Sequence, residues 1–210
     1  MKVALIIGSI RTGRQSHKIA YYVENILHMR NIETAVIDLL KQPLPVYGAL
    51  LGSGSEENIK PHAERLSEAD AIILITPEYH GSFSGVLKNT LDHFWSEFQK
   101  KPIGVIGTSM GKLGGINAST QLQHVILSLG AYPLPVKLLV PEIHLLFDES
   151  FNTQNENMIK LTSRFLDEFL WFAEAVYQKK LLKESNKPSL TSITTALNIS
   201  LNTPTKKKIL

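Results

Sequence analysis

Short, continuously apolar runs alternate with amphipathic stretches along this 210-residue chain, and this alternation restricts its fold more than any other feature. Short apolar runs are typical of strands buried on both faces, and apolar residues spaced by three and four are typical of helices with one buried face. The predicted strands span residues 2–7, 33–38, 71–76, 102–107 and 135–140. The predicted helices span residues 16–29, 56–68, 85–98, 115–129 and 155–180.

Strands that alternate with helices predict an α/β fold, because parallel strands need long crossover connections, which are almost always right-handed. The expected fold is an open, doubly wound sheet of five parallel strands with helices on both faces. A closed barrel would need about 250 residues and eight such units. Ligands of doubly wound sheets bind at the carboxyl ends of the strands. The loops after residues 7, 76 and 107 are therefore the expected binding site.

The composition of the chain changes after residue 182, which divides it into two predicted parts. Residues 1–182 are expected to form the domain, and residues 183–210 a polar, lysine-containing tail that is loosely ordered. The tail has five lysines and one glutamate, a net charge of +4, whereas the whole chain carries +3. The domain therefore carries −1, so the basic excess belongs to the tail, and no nucleic-acid partner is expected.

The absence of cysteine excludes disulfides, thiolate catalysis and cysteine-ligated metal sites. Histidines and carboxylates show no metal-ligand spacing, so no metal site is expected. The longest apolar runs have five to seven residues, whereas a membrane-spanning helix needs about 20. The first residues also lack the pattern of a secretory signal. We therefore expect a cytoplasmic protein that does not bind a membrane.

The loop after the first predicted strand has the features of a phosphate-binding loop. Its candidate ligands are Ser9, Arg11, Gly13, Arg14, Gln15 and Ser16. The helix predicted to begin at Ser16 would direct free N–H groups to the same place. Neither the G-x-G-x-x-G dinucleotide motif nor a Walker A motif is present, which favours a mononucleotide such as FMN. The alternative is that Ser9 and Ser16 only cap the helix.

The loop after the third predicted strand, TPEYHGSFSGVLKN at residues 76–89, closely resembles the signature of the NAD(P)H-dependent FMN reductase family. That family includes azoreductases, quinone reductases and chromate reductases. The matching residues are Pro77, Tyr79, Ser82, Gly85, Leu87, Lys88 and Asn89. The first loop matches through Gly8, Ser9, Arg11 and Ser16, although it is slightly long. A second departure is His80, which stands where many members carry Asn and which bears on substrate preference.

The resemblance extends from the first strand to at least residue 130 and implies a specific fold and activity. The implied fold is flavodoxin-like, with strand order 2-1-3-4-5. The implied cofactor is FMN, with NADPH or NADH as co-substrate. The implied reaction is ping-pong hydride transfer through FMN to a small-molecule acceptor, which is a quinone, an azo compound, chromate or free flavin. Family members commonly form dimers or tetramers, so a homodimer or homotetramer is expected.

Two loops are predicted to surround the flavin ring. The candidates in the third-strand loop are Pro77, Glu78, Tyr79, His80 and Gly81, whose backbone N–H groups can face the polar edge of the ring. The candidates in the glycine-rich fourth-strand loop are Ser109, Met110, Gly111, Gly114 and Gly115, unless this loop is only a flexible turn. The flavin carries the chemistry, so no residue is assigned catalysis. His80 could donate a proton, since histidines titrate near neutral pH, or only shape the pocket.

Two other functions remain possible for a chain with this pattern. One is a flavodoxin-like electron carrier, but such carriers are usually strongly acidic, and the near-neutral domain and Arg11 favour the reductase. The other is a non-enzymatic FMN-binding regulatory protein or a relative that has lost flavin, against which Arg11, Ser16, Tyr79 and Gly115 all argue. Arg14 and Lys112 are the candidate partners of the 2′-phosphate that distinguishes NADPH from NADH.

Overall fold

The computed structural model describes residues 1–49 and 55–185 of the chain. The strands are β1 (Lys2–Ile7), β2 (Glu33–Asp38), β3 (Ala71–Tyr79), β4 (Ser82–Phe83), β5 (Pro102–Thr108) and β6 (Tyr132–Val140). The α-helices are α1 (Ser16–Met29), α2 (Ser55–Glu68), α3 (Gly85–His93), α4 (Ile116–Ser128) and α5 (Glu156–Ser185). A short 3₁₀ helix spans Ile143–Leu145.

The five longer strands form a parallel sheet in the order β2-β1-β3-β5-β6. The predicted flavodoxin-like order is therefore confirmed, and β4 is an addition that the sequence analysis did not predict. It has two residues and pairs antiparallel with the end of β3. The strand order reverses between β1 and β3, which leaves a crevice at their carboxyl ends where doubly wound sheets bind ligands.

Helices cover both faces of the sheet, as predicted. On β1, Val3, Leu5 and Ile7 belong to the hydrophobic cluster that includes residues of α1 and α5. The intervening residues, Ala4 and Ile6, belong to a second cluster that includes residues of α2, α3 and α4. All five side chains are fully buried, because successive residues of a strand point to opposite faces. The sheet therefore fixes the strand ends, and the loops that follow them, firmly in place.

Most predicted boundaries agree with the structure to within a few residues, but the predicted helix at residues 85–98 is too long. The helix α3 ends at His93, and Phe94 has an extended backbone, with φ of −126°. Phe94 and Phe98 are nevertheless buried. Two buried aromatic residues four positions apart imitate one face of a helix, and this spacing explains the wrong prediction.

The site described below belongs to the compact unit Met1–Val176. The second unit begins at Tyr177, and its described part, residues 177–185, continues α5 five residues beyond the predicted end at 180. The predicted tail lies outside the described residues from 186 onward, and the boundary after residue 182 stays a prediction. Among the described residues, no helix combines the length and apolar character that crossing a membrane requires.

Candidate active site

A cavity of about 490 Å³ opens at the carboxyl ends of β1, β3 and β5. Its volume lies within the range of about 300–1,000 Å³ that is common for cofactor sites. Fourteen of the sixteen predicted cofactor residues line it: Ser9, Arg11, Gly13, Arg14, Gln15, Ser16, Pro77, Glu78, Tyr79, His80, Gly81, Ser109, Met110 and Gly111. The structure therefore brings the three predicted loops together.

No group of three histidine or carboxylate side chains that could hold a metal occurs among the described residues.

Four further residues line the cavity and were outside the predicted FMN set: Thr108, Lys112, Leu113 and Ile143. Thr108 is buried, and its hydroxyl lies 2.7 Å from the Ser16 hydroxyl. This bond ties the first turn of α1 to the end of β5, across 92 residues of sequence. Thr108 directly follows the predicted strand at residues 102–107, and this position in a predicted binding loop was the only signal that could have identified it. Ile143 lies in the 3₁₀ helix, which the sequence pattern did not indicate.

The two arginines of the first loop have different environments. Arg14 donates two hydrogen bonds to the carboxylate of Asp38, at 2.5 and 2.6 Å, and one to the Ser9 carbonyl at 2.8 Å. The side chains of this ion pair are only 8% and 5% exposed. Arg11, in contrast, is exposed, and its guanidinium has no hydrogen-bond or ion-pair partner within the described part of the chain. Arg11 is therefore the guanidinium of this loop that is available to a ligand.

Asp38, the last residue of β2, remains charged in this buried pair. Burial opposes its ionisation, but the hydrogen bonds and the positive charge of Arg14 outweigh that effect and hold the pKa of Asp38 below its usual range. The backbone N–H of Leu40 also donates to this carboxylate, at 3.1 Å. Because Arg14 binds the Ser9 carbonyl as well, the pair fixes the loop that lines the cavity.

The loop after the third predicted strand forms a tight β-hairpin between the end of β3 and β4. Tyr79 pairs with Ser82, which leaves His80 and Gly81 as the two turn residues. Both have positive φ angles, 51° and 75°, as a type I′ turn requires. Asparagine and histidine tolerate this backbone region better than most residues. The turn geometry therefore gives a physical reason for the exchange of Asn and His at this position.

The side chain of Glu78 reaches the beginning of α4. One carboxylate oxygen accepts hydrogen bonds from the backbone N–H groups of Asn117, at 2.9 Å, and Ala118, at 3.2 Å. The other oxygen accepts from the side-chain amide of Asn117 at 3.1 Å. The N-cap residue of α4 is Gly115, which has no side chain to satisfy these donors. Glu78 therefore caps α4, where a negative charge is also favoured by the helix dipole.

Gln121 fastens the same hairpin to α4 at a second point. Its side-chain amide donates to the Gly81 carbonyl at 2.7 Å and accepts from the Ser82 hydroxyl at 2.7 Å. The sequence analysis gave Glu78 only a backbone role and did not identify Gln121. These contacts join residues about 40 positions apart in sequence, so no local pattern reveals them. The bonds of Glu78 and Gln121 together fix the hairpin relative to the start of α4 and the loop before it.

Gly114 and Gly115 are the two predicted residues that do not line the cavity. Both belong to the loop between β5 and α4, which is called the fourth loop below. A Cβ atom on Gly115 would lie 2.6 Å from the backbone N of Thr108. The fourth loop itself is held by Ser109, whose hydroxyl donates to the Gly111 carbonyl at 2.7 Å and accepts from the Gly114 N–H at 3.0 Å. A Cβ atom on Gly114 would lie 3.0 Å from the backbone N of Val140. Gly115 therefore allows close packing of this loop on β5, and Gly114 allows it on β6.

A His80→Asn variant is expected to fold as stably as the parent, because asparagine is favoured at the positive φ of this turn. A His80→Val variant is expected to lose about 1–2 kcal/mol of stability, since a β-branched residue is strained there. Urea unfolding monitored by circular dichroism measures both. Equal stability of the Asn and Val variants would contradict the role of the turn. Slower reduction of acceptor by the Asn variant, at unchanged stability, would indicate a proton-donating role for the imidazole.

Known proteins resemble this chain in sequence over the site and beyond it. The sequence profile of the family described as NADPH-dependent FMN reductase matches residues 1–144. An FMN-dependent NADPH-azoreductase of Staphylococcus saprophyticus is 31% identical over 184 residues, covering 83% of this chain and 96% of the relative. The enzyme of the same name from Staphylococcus aureus is 33% identical over 185 residues, covering 82% and 95%.

Solved structures give the same result for the fold. The flavoenzyme NAD(P)H:acceptor oxidoreductase FerB of Paracoccus denitrificans superposes with a TM-score of 0.72 and 26% identity, covering 83% of this chain and 97% of FerB. An archaeal flavodoxin, at 16% identity and a TM-score of 0.56, covers 84% of this chain and 99% of its own and shares the fold. The predicted flavin oxidoreductase class, FMN cofactor and NAD(P)H co-substrate are confirmed. This chain belongs to the family of NADPH-dependent FMN reductases.

Proposed function

We propose that the cavity at the ends of β1, β3 and β5 holds FMN and that the enzyme passes reducing equivalents from NADPH or NADH to azo or quinone compounds. The observation that carries this proposal is the convergence of three loops on one cavity of about 490 Å³, whose lining includes the Arg11 guanidinium and the partly exposed side chains of Tyr79 and Met110. The staphylococcal relatives are named azoreductases, which supports the azo class of acceptor.

The residues of the first loop fit the phosphate of FMN. Arg11 is a cation with no partner among the described residues. The N-cap residue of α1, Gln15, makes no capping bond through its side chain. The Lys18 N–H donates to the Gln15 carbonyl at 2.9 Å, so the N–H groups of Ser16 and His17 are those that can face an anion. A Cβ at Gly13 would meet no atom within 4 Å, so the backbone there is open to a close ligand. Ser9 and Ser16 lie beside it.

The other two loops fit the flavin ring. Tyr79 and Met110 line the cavity and are 38% and 54% exposed, so each offers apolar surface to a flat ligand. The hairpin that carries His80 and Gly81 presents backbone polar groups to the same space, and Glu78 fixes this hairpin through its bonds to α4. When bound, FMN supplies the two-electron redox chemistry, and the protein supplies binding, orientation and electrostatics.

The proposal includes an oligomer and a cytoplasmic location. Large apolar side chains are exposed away from the cavity, including Trp95 at 65% and Leu127 at 61%. Aromatic side chains such as tryptophan are enriched at interfaces between subunits, and a homodimer or homotetramer would cover them. A cytoplasmic location suits an enzyme that consumes NADPH or NADH, because these nucleotides are intracellular reductants.

Anaerobic mixing of the FMN-loaded protein with NADPH, and separately with NADH, tests the enzyme function. Rapid loss of the visible absorbance of oxidised flavin, followed by its return when an azo dye or a quinone is added, is the expected result. FMN that binds but is reduced by neither nucleotide would make the protein an electron carrier. A protein that does not bind FMN would instead support the alternative of a relative that has lost flavin.

An Arg11→Met variant is expected to bind FMN about 10- to 100-fold more weakly, because one charge-assisted contact with the phosphate is removed. Its affinity for riboflavin, which lacks the phosphate, is expected to be unchanged. Fluorescence titration of the flavin measures both constants. Arg30→Met is the matched control, since Arg30 pairs with Asp167 on α5 rather than lining the cavity. An equal loss of riboflavin affinity would show that Arg11 does not contact the phosphate.

A further inference from the structure

A second cavity, of about 450 Å³, adjoins the flavin cavity. Lys112 and Leu113 line both, so the two spaces meet at the turn that follows β5. The apolar part of its wall is formed by Leu139, Pro141, Leu145, Leu146, Met158 and Leu161. Apolar walls with a few polar groups at the rim are typical of small-molecule sites. None of the predicted FMN ligands lines this second cavity, so FMN in the first cavity leaves it free.

Two opposite charges lie at the rim of the second cavity. Lys112 is exposed and has no partner among residues 1–49 and 55–185. Glu142 is also exposed, and its carboxylate makes no hydrogen bond or ion pair within the same ranges. Its backbone is held at φ 46° by a hydrogen bond from its N–H to the Gly111 carbonyl, at 3.1 Å. A non-glycine residue in this region stores strain, and strained residues concentrate at functional sites.

We propose that the second cavity binds the adenosine half of NADPH or NADH, and that Lys112 contacts the pyrophosphate between the two halves. This inference rests on the proposed function, because it assumes that the nicotinamide reaches a flavin in the first cavity. A dinucleotide has two flat rings joined by a charged linker. The adenine ring would enter the second cavity while the nicotinamide ring reaches the flavin in the first, and the unpaired Lys112 at the junction of the two cavities matches the linker.

The two charges at the rim favour binding of the nucleotide in the second cavity over binding of an acceptor molecule that extends there from the flavin. Lys112 suits a pyrophosphate, and the Glu142 carboxylate can accept hydrogen bonds from ribose hydroxyls, as acidic residues do in dinucleotide-binding folds. A purely apolar acceptor would leave both charges without a partner. The adenine ring would pack against the leucine side chains that form the apolar wall of the second cavity.

Comparison of NADPH with reduced nicotinamide mononucleotide, which lacks the adenosine half, tests the proposal. The FMN-loaded parent is expected to show a lower apparent Kd for NADPH in anaerobic reduction of the flavin. Leu145→Asp in the cavity wall is expected to weaken NADPH binding about tenfold and to leave binding of the mononucleotide unchanged. Lys112→Met is expected to weaken NADPH binding about tenfold and binding of the mononucleotide by less, because the mononucleotide keeps only one of the two phosphates. Lys160→Met is the control, because Lys160 is on α5 beside the cavity residues but does not line it.

Binding of ADP to the FMN-loaded protein provides a readout that is independent of turnover. Titration calorimetry is expected to detect binding to the parent and a loss of about tenfold in Lys112→Met. Equal effects of the variants on both hydride donors, or a raised KM for the azo acceptor alone, would overturn the assignment of the cavity to adenosine. Failure of both donors to reduce the parent would refute the proposed function itself, so the two failures are distinguishable.

Discussion

An Asp38→Asn variant is expected to be about 3–5 kcal/mol less stable than the parent, because it leaves the Arg14 guanidinium buried without its counter-charge. The pair is more than nine-tenths buried and bidentate, at 2.5 and 2.6 Å. Asparagine can accept one of the two hydrogen bonds but cannot compensate the charge. Urea unfolding of the FMN-free protein measures the difference, since bound ligand would add its own stabilisation.

The matched control is Asp92→Asn, which removes a carboxylate from an exposed ion pair with Lys88 on α3. Exposed pairs of this kind contribute about 0.3–0.5 kcal/mol, so this variant is expected to unfold almost as the parent does. A similar, small loss in both variants would mean that the Arg14–Asp38 pair does not stabilise the loop. Replacement of both members, in Arg14→Leu with Asp38→Leu, should recover part of the lost stability, because no unpaired charge remains.

The contribution of Asp38 also depends on pH in a defined direction. Its pKa is lower in the folded protein than the ordinary value of 3.8, so its stabilising effect is complete above the ordinary value and is lost as the pH falls through the folded value. The free energies of unfolding of the parent and Asp38→Asn are therefore expected to converge below about pH 4. Urea unfolding at neutral and acidic pH tests this, and a constant difference would contradict it.

Local patterns predicted the five parallel strands because each is an apolar run bounded by turn or polar residues, and burial on both faces demands that composition. The binding loops were predictable for a related reason, since parallel strands must end at a common edge. The carboxyl end of β3 is followed by a tight turn, and the Gly81 that it needs is visible in the sequence. These features depend on residues close together in the chain.

The contacts that fix the site could not be predicted, because they join residues far apart in sequence. Arg14 looked like a phosphate ligand, since nothing in the first loop indicates that Asp38, 24 residues later, occupies its guanidinium. The hydroxyl of Ser16 meets Thr108 only because β1 and β5 flank β3 in the sheet. The strand order that the family resemblance implied would have placed these loops side by side, but it does not select the side chains that pair.

The second large effect on stability is expected from a substitution at Gly115, which the sequence analysis predicted, with Gly114, to contact the flavin. Gly115 has a φ angle of +81°, and a Cβ there would lie 2.6 Å from the backbone N of Thr108 and 2.8 Å from the backbone C of Gly107. Both atoms belong to the sheet, so no side chain can move aside to make room. A Gly115→Ala variant is therefore expected to lose about 3–5 kcal/mol through backbone strain and overpacking.

The same substitution should also impair FMN binding, although Gly115 does not line the cavity. To accommodate the Cβ, the start of α4 must move away from β5, and this movement would stretch the bonds that Glu78 makes to Asn117 and Ala118. Gly85→Ala is the control, since its Cβ would meet no atom within 4 Å and its φ is not positive. Urea unfolding and flavin titration of the two variants separate the outcomes. A Gly115→Ala protein as stable as Gly85→Ala would show that the fourth loop does not depend on close packing against β5.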